Sequence, residues 1–114
     1  MAKLKVERAA SDIQRELSNI LLLEAKDVDF KRVTITAVEV SNDFSYAKVF
    51  FTTPDDRTHV TKDLNNASGF FRSLLSQRID ARHTPELKFI FDESIEYGQK
   101  IEKIIKELHK NDGE

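Results

Sequence analysis

Val38-Glu39-Val40, Ser41-Asn42-Asp43, Ala47-Lys48-Val49-Phe50-Phe51 and, further on, Ala67-Ser68-Gly69 carry most of the fold. The first and third stretches are β-branched and aromatic, the composition of strands. Ser41-Asn42-Asp43 supplies turn chemistry, since Asn and Asp tolerate left-handed geometry and bond their own backbone. Together they predict a hairpin. Pro54 ends the second strand because it cannot donate to a ladder. Asp55 or Asp56 then caps a helix with Val60, Leu64 and Ala67 on one stripe. The pattern restarts after Gly69 with Phe70, Phe71, Leu74, Leu75 and Ile79, a face wide enough to cover a sheet. Arg78 falls inside that arc, and suits it if the helix is ending there and the side chain reaches past the sheet edge into water.

Upstream, Ile13, Leu17, Ile20 and Leu21 recur at helical spacing within a helix over residues 3–25. Val33 to Val40 alternates, but Val33 and Ile35 suit one face while Val38 and Val40 suit the other. A bulge, or a strand buried on both sides, explains that change of phase. Downstream, Thr84-Pro85 breaks the second helix of the pair. Leu87, Phe89 and Phe91 alternate as a third strand. Asp92 or Ser94 starts a last helix containing Ile95, Ile101, Ile104, Ile105 and Leu108, with Gly98 inside it. The order is helix, strand, strand, bent helix pair, strand, helix: one α+β domain over residues 1–114, its last residues (about 110–114) expected to be disordered.

Composition removes several classes of function. The chain has 114 residues, 39% hydrophobic and 33% charged, with eight Phe, two Tyr, no Trp and no Cys. Phe rings are therefore expected to fill the core with Leu, Ile and Val. Lack of Cys excludes disulfides, thiolate metal sites and Cys nucleophiles, and is compatible with a reducing compartment. No apolar run approaches the roughly 20 residues that span a bilayer, and no hydrophobic signal segment follows the basic start. A cytoplasmic protein with no membrane partner is expected. The net charge of −2, from 18 Lys+Arg against 20 Asp+Glu, runs against the basic excess usual in nucleic-acid binders. The acids gather late, however. Asp92, Glu93, Glu96, Glu102, Glu107, Asp112 and Glu114 face only Lys100, Lys103, Lys106 and Lys110 over residues 92–114. A basic face remains available elsewhere.

Two features invite a functional reading. Gly within a helical pattern costs about 1 kcal/mol relative to Ala. It is repaid either by close packing at a corner or by letting a phosphate approach backbone N–H groups. Arg72, Arg78, Arg82, His83 and Lys88 lie on the helix after the bend and the strand it feeds, and arginine donates bidentately to phosphate; solvated surface charge is the alternative. Arg8 and Arg15, seven apart, share the polar face of the first helix. Enzyme readings are poor. His59 and Asp63, four apart, are a surface pair, and Asp92, Glu93 and Glu96 more simply serve a helix N-terminus. Ser73, Ser76 and Ser94 lack a nucleophile-elbow context. No active site, cofactor or metal site is expected.

With these residues in place, the chain resembles the ribosome-binding factor A family. The resemblance rests on Ile13-Gln14-Arg15-Glu16-Leu17, Val38 through Val49, Ala67-Ser68-Gly69-Phe70-Phe71-Arg72-Ser73-Leu74-Leu75, Arg82-His83-Thr84-Pro85-Glu86-Leu87-Lys88-Phe89 and Asp92-Glu93-Ser94-Ile95-Glu96. Each is weak alone; in this order they are specific. The chain departs from the family pattern at Val28-Asp29, where Pro-Arg would stand, at Asp80, where a basic residue is common, and in a short C-terminal extension. The resemblance implies a type II KH-like domain with a three-stranded mixed sheet, in which a helix kink at Ala67-Ser68-Gly69 replaces the usual Gly-x-x-Gly loop. It further implies binding of a monomer to the free, immature 30S ribosomal subunit, contact with its RNA near the decoding region and the 5′ end, support of 16S rRNA maturation, and release associated with an assembly GTPase.

The expectation is therefore a non-enzymatic 30S assembly factor. Lys3, Lys5, Arg8, Arg15, Arg72, Arg78, Arg82 and Lys88 would contact phosphates, with Ser68 and Gly69 allowing close backbone approach. The alternative is a protein–protein adaptor acting through the acidic C-terminal helix, with its Ile101, Ile104, Ile105, Leu108 stripe, and the outer face of the sheet.

Overall fold

Hydrophobic rows at helical and alternating spacing become four helices and three strands in the computed structural model, which describes residues 2–23, 28–79 and 84–112. The elements are α1 (Ala2–Leu23), a 3-10 turn (Val28–Arg32), β1 (Thr34–Val40), β2 (Tyr46–Thr52), α2 (Arg57–Asn66), α3 (Ser68–Ser76), β3 (Glu86–Phe91) and α4 (Ser94–Asp112). The sheet order is β1-β2-β3, with β1 antiparallel and β3 parallel to the central β2. This is the expected α+β, KH-like order, and the parallel step is made by the α2–α3 pair.

The change of phase in β1 is a bulge. The register slips between Ile35 and Ala37, so Val33, Ile35 and Val40 are all buried despite odd spacing along the strand. In the hairpin loop, Ser41 N–H donates to the Tyr46 carbonyl at 3.0 Å and Phe44 N–H to the Ser41 carbonyl at 2.9 Å. The left-handed residue is neither Asn42 nor Asp43 but Phe44, at φ 61°, whose ring packs against the core. Asp43 contributes differently: its Oδ1 accepts from Ser45 N–H at 3.1 Å and from the Ser45 and Ser41 hydroxyls.

Helices α1, α2 and α3 lie on one face of the sheet. Ile13, Leu17, Ile20 and Leu21 of α1, Val60 and Leu64 of α2, and Phe71 and Leu75 of α3 meet Ala47, Val49, Phe51, Leu87 and Phe89 from the strands. Phenylalanine does fill the centre. Phe71 sits edge-on to both Phe30 and Phe89, with centroids 5.6 and 5.7 Å apart. The buried face of α3 is narrower than its spacing suggested: Phe70 is 53% exposed and leans on Phe71.

α4 does not join this layer. Its Tyr97, Ile101, Ile104, Ile105 and Leu108 are exposed, from 38% at Ile101 to 66% at Tyr97. The radius of gyration, 17.1 Å, exceeds the roughly 13 Å of a compact chain this long. Within the helix, Lys100, Lys103, Lys106 and Lys110 balance Glu96, Glu102, Glu107 and Asp112, so the acidity of residues 92–114 comes mainly from the entry at Asp92 and Glu93. No helix among the described residues is long and apolar enough to cross a membrane.

Candidate nucleic-acid interface

The corner between α2 and α3 is made by alanine. Ala67 takes φ −94° and ψ 6°, between helical and turn geometry, and its N–H is shared between the Asp63 and Leu64 carbonyls. α3 restarts immediately, with Phe71 N–H bonding the Ala67 carbonyl at 3.1 Å. Gly69 has no positive φ, is exposed, and has no atom within 4 Å of where a Cβ would stand. Close packing therefore does not account for the glycine. α3 also begins without a side-chain cap. Its first-turn N–H groups, which have no intrahelical partner, open beside residues that carry little bulk.

Next to the corner, α2 and the free edge of β3 flank an open groove of about 550 Å³ whose polar lining is Arg57, Thr58, Thr61, Lys62, Asn65, Lys88 and Glu93, with Phe89 to Phe91 between them. Arg57 crosses the Phe91 ring at 5.3 Å and approaches Glu93 at 3.9 Å. The Asn65 amide bonds the main chain of Phe89, sealing the strand edge at that point. Arg57, Thr58, Thr61, Lys62 and Asn65 were not singled out from sequence. They form a polar row flanking the buried Val60–Leu64 row, and that periodicity was the available signal.

The expected phosphate-binding residues occupy several places. Ser68, Gly69 and Arg72 share α3; Arg72 is exposed and its Nε donates to the Thr84 carbonyl at 3.0 Å. Lys88 is exposed on β3, and Lys5 and Arg8 are exposed on α1. Arg15 pairs with Asp12 at 3.2 Å and Glu16 at 3.6 Å. Arg78 lies in the turn after α3, where the helix has ended, and is exposed; its side chain, 29% accessible, pairs with Glu16 at 3.5 Å. Arg78 thus ties the end of α3 to α1, whereas both partners of Arg15 lie on α1 itself. Arg82 and His83, with Asp80, lie outside the described residues, as does the side chain of Lys3.

Two carboxylates are held acidic. Asp92 lies below its ordinary value because the Ser94 hydroxyl, then the Thr36 hydroxyl, then Ser94 N–H donate to it. It thus both opens α4 and bonds the bulged residue of β1. Asp43 is lowered by the hydroxyls of Ser45 and Ser41 and the Ser45 N–H. His59 meets Asp63 at 3.1 Å on the exposed face of α2. Among the described residues no group of three or more His, Cys, Asp or Glu could hold a metal.

The chain is thus an α+β domain with an uncapped helix corner and, at a sheet edge, a groove that carries Arg57, Lys62 and Lys88 beside Glu93. The family profile described as ribosome-binding factor A matches residues 5–105, and the chain belongs to that family. It is 42% identical to ribosome-binding factor A of Syntrophobacter fumaroxidans, over 95% of this chain and 97% of that protein. With the Staphylococcus carnosus protein of that name it shares 44% identity, covering 98% of this chain and 100% of the relative. The solution structure of a Thermotoga maritima protein aligns at TM-score 0.60 and 32% identity, covering 71% of this chain and 80% of that one. The Thermus thermophilus crystal structure gives TM-score 0.67 at 24% identity, over 75% of this chain and 93% of that chain, a likeness of fold. A further match, at TM-score 0.62 and 22% identity over 74% of this chain and 91% of the other, is to Thermus coordinates fitted into a cryo-EM map of a 30S complex.

Proposed function

We propose that this chain is a non-enzymatic assembly factor that binds free 30S particles through 16S rRNA and supports maturation of that RNA. The observation that carries the reading is Gly69: a helix-weakening residue with neither packing nor backbone strain to justify it, on the open first turn of α3. Backbone approach by a phosphate gives it a purpose, since free N–H groups and the helix dipole favour an anion there. Ser68, Gly69 and Arg72 are the centre of the contact, with Arg57, Lys62 and Lys88 along the groove. Lys3, Lys5, Arg8 and Arg82 extend it, while Arg15 is engaged by acids of α1 and Arg78 holds the end of α3 against α1. Support also comes from the relative whose coordinates were fitted into a 30S complex. The protein acts as a monomer in the cytoplasm and leaves the mature particle at a step associated with an assembly GTPase.

Phosphate contact makes the association fall steeply with salt. Sedimentation of the tagged protein through a gradient tests the reading. It should ride with free 30S particles, avoid 70S ribosomes and dissociate as salt rises; salt-insensitive association, or equal association with 70S, would sink it.

The exposed apolar stripe of α4 favours a second reading, an adaptor that docks a protein partner on Ile101, Ile104, Ile105 and Leu108.

A further inference from the structure

The sheet has a second face, turned away from α1, α2 and α3. Along β2, Ala47, Val49 and Phe51 point into the core, so Tyr46, Lys48 and Phe50 point outward. On β3, Leu87 and Phe89 point inward and Glu86 and Lys88 outward. Register places Tyr46 beside Glu86 and Lys48 beside Lys88. Two lysines directly opposite one another, on strands about 4.8 Å apart, repel. Glu39 lies across β1 from Lys48, and Glu86 two residues before Lys88, yet neither closes an ion pair with them among the described residues. The pair is arranged as though an anion were to stand between the two ammonium groups.

Tyr46 supplies the other half of a nucleotide site. Its ring is 49% exposed. Its backbone is fixed: the N–H donates to Ser41 Oγ at 3.1 Å and the carbonyl accepts from Ser41 N–H at 3.0 Å. A ring on a rigid strand loses little entropy when a base stacks on it. Along the strand, Tyr46 and Lys48 are about 6.7 Å apart, close to the rise between a base and a neighbouring phosphate in an extended single strand. The hollow bounded by Tyr46, Lys48, Glu86, Leu87 and Lys88 is about 490 Å³. Lys88 belongs both to this hollow and to the groove between α2 and β3. A strand lying in the groove can therefore cross the β3 edge at Lys88 and continue onto the sheet.

We infer that the open sheet face is a stacking site for single-stranded RNA, in which Tyr46 takes one base and Lys48 and Lys88 clamp the adjoining phosphate. The inference rests on the reading of this protein as an RNA binder and names a surface of its own for it. Aromatic side chains on a sheet are a general platform for unpaired bases, and the lysines read no sequence.

The probe is a short, fluorescently labelled single-stranded RNA of mixed sequence, with an RNA duplex as control. The full chain should bind the single strand. Tyr46→Thr, which keeps strand propensity and removes the ring, should weaken binding about five- to hundredfold, whereas Tyr46→Phe should bind like the parent. Lys48→Gln and Lys88→Gln should each reduce the slope of log K against log salt by about 0.7. Duplex binding should not respond to Tyr46→Thr. In a Tyr97→Phe background Tyr46 is the sole tyrosine, and its emission should be quenched by the single strand. Equal affinity of the parent and Tyr46→Thr, unquenched emission, or no binding of the single strand by the parent would each overturn the inference. The 30S gradient decides the other reading separately. A parent that rides with 30S while Tyr46→Thr binds the single strand normally removes only the sheet-face site. A parent that quenches on single-stranded RNA yet ignores 30S leaves this site standing and removes the assembly-factor reading.

Discussion

The side-chain amide of Asn65 holds the main chain of Phe89 from both sides: Phe89 N–H donates to Oδ1 at 2.9 Å and Nδ2 donates to the Phe89 carbonyl at 3.0 Å. A helix residue thus takes the place of a fourth strand at one position of the sheet's free edge. Edge strands with unpaired groups invite other chains, and here the point nearest the core is closed by the protein itself. Replacing Asn65 by Ala strands two backbone groups in a partly buried groove. The expected cost is about 1–3 kcal/mol, read as a lower urea midpoint with unchanged slope. A loss under about 0.5 kcal/mol would mean that water replaces the amide without penalty.

Gly69 gives a test in which stability and binding separate. A Cβ at this position meets nothing within 4 Å, and the backbone is not in left-handed territory. Gly69→Ala should therefore stabilise the fold by about 0.5–1 kcal/mol through helix propensity. Association with 30S should nevertheless fall, because the added methyl stands where backbone N–H groups meet phosphate. Thermal melting beside gradient sedimentation reads both. A variant with lowered melting temperature would return the glycine to a packing role.

Acid should loosen the junctions that Asp92 and Asp43 make. Both carboxyls lie below their ordinary value in the folded state, through bonds from Ser94 and Thr36 and from Ser45 and Ser41 respectively. A depressed folded value means that the ionised form stabilises the fold above the unfolded value of about 3.9, and that this is lost as pH falls through the lower folded value. Neutral pH should show no change, and the urea midpoint should drop below about pH 4. Asp92→Asn should lower stability at neutral pH and reduce the further drop in acid. An identical acid profile in the variant would show that Asp92 carries none of it.

The exposed stripe on α4 separates structure from association in the same way. Ile104 and Leu108 are 47% and 59% exposed, so Ile104→Ser with Leu108→Ser should move stability by no more than about 0.5 kcal/mol per substitution, as for other surface changes. If the adaptor reading holds, association is lost with the fold intact. If binding goes through phosphate, gradients of variant and parent coincide. A strongly lowered melting temperature would place α4 in the core after all.

Much of the fold was legible because it follows from periodicity. The Ile13–Leu21 row and the alternation over Ala47 to Phe51 and over Leu87 to Phe91 each state their own geometry, whereas the cap of α2 could be placed only at Asp55 or Asp56 until the structure assigned it to Asp56. The bulge in β1 was visible as a change of phase but not separable from two-sided burial until its register with β2 was known. The left-handed Phe44 could not be read, since that conformation is disfavoured for a bulky residue and only its contact with the core retains it. Nor could the standing of α4, whose apolar stripe has the same spacing whether covered or bare. At the candidate site, the bend was readable from Ala67-Ser68-Gly69, whereas sequence alone could not show which arginines were already engaged. Arg72 and Arg78 are one and a half helical turns apart in a chain rich in acids, and only Glu16 on a distant segment distinguishes them.

That distinction supports a paired prediction. Arg78 and Glu16 lie 3.5 Å apart, with side chains 29% and 19% exposed, shielded enough for the pair to matter and wet enough to keep its worth modest. A double-mutant cycle with Arg78→Gln and Glu16→Gln should return a coupling of about 0.5–1 kcal/mol. Glu16 also touches Arg15 at 3.6 Å, so Glu16→Gln alone removes two ion pairs. Among the described residues Arg72 meets no acid and gives only its Nε to the Thr84 carbonyl, leaving the rest of its guanidinium for a phosphate. Arg72→Gln should therefore leave the melting temperature nearly unchanged and reduce the salt slope of 30S association by about one phosphate contact. Arg78→Gln should lower stability and leave that slope in place. Were the two to exchange behaviour, the RNA surface would run along the α1–α3 seam and not around the α2–α3 corner.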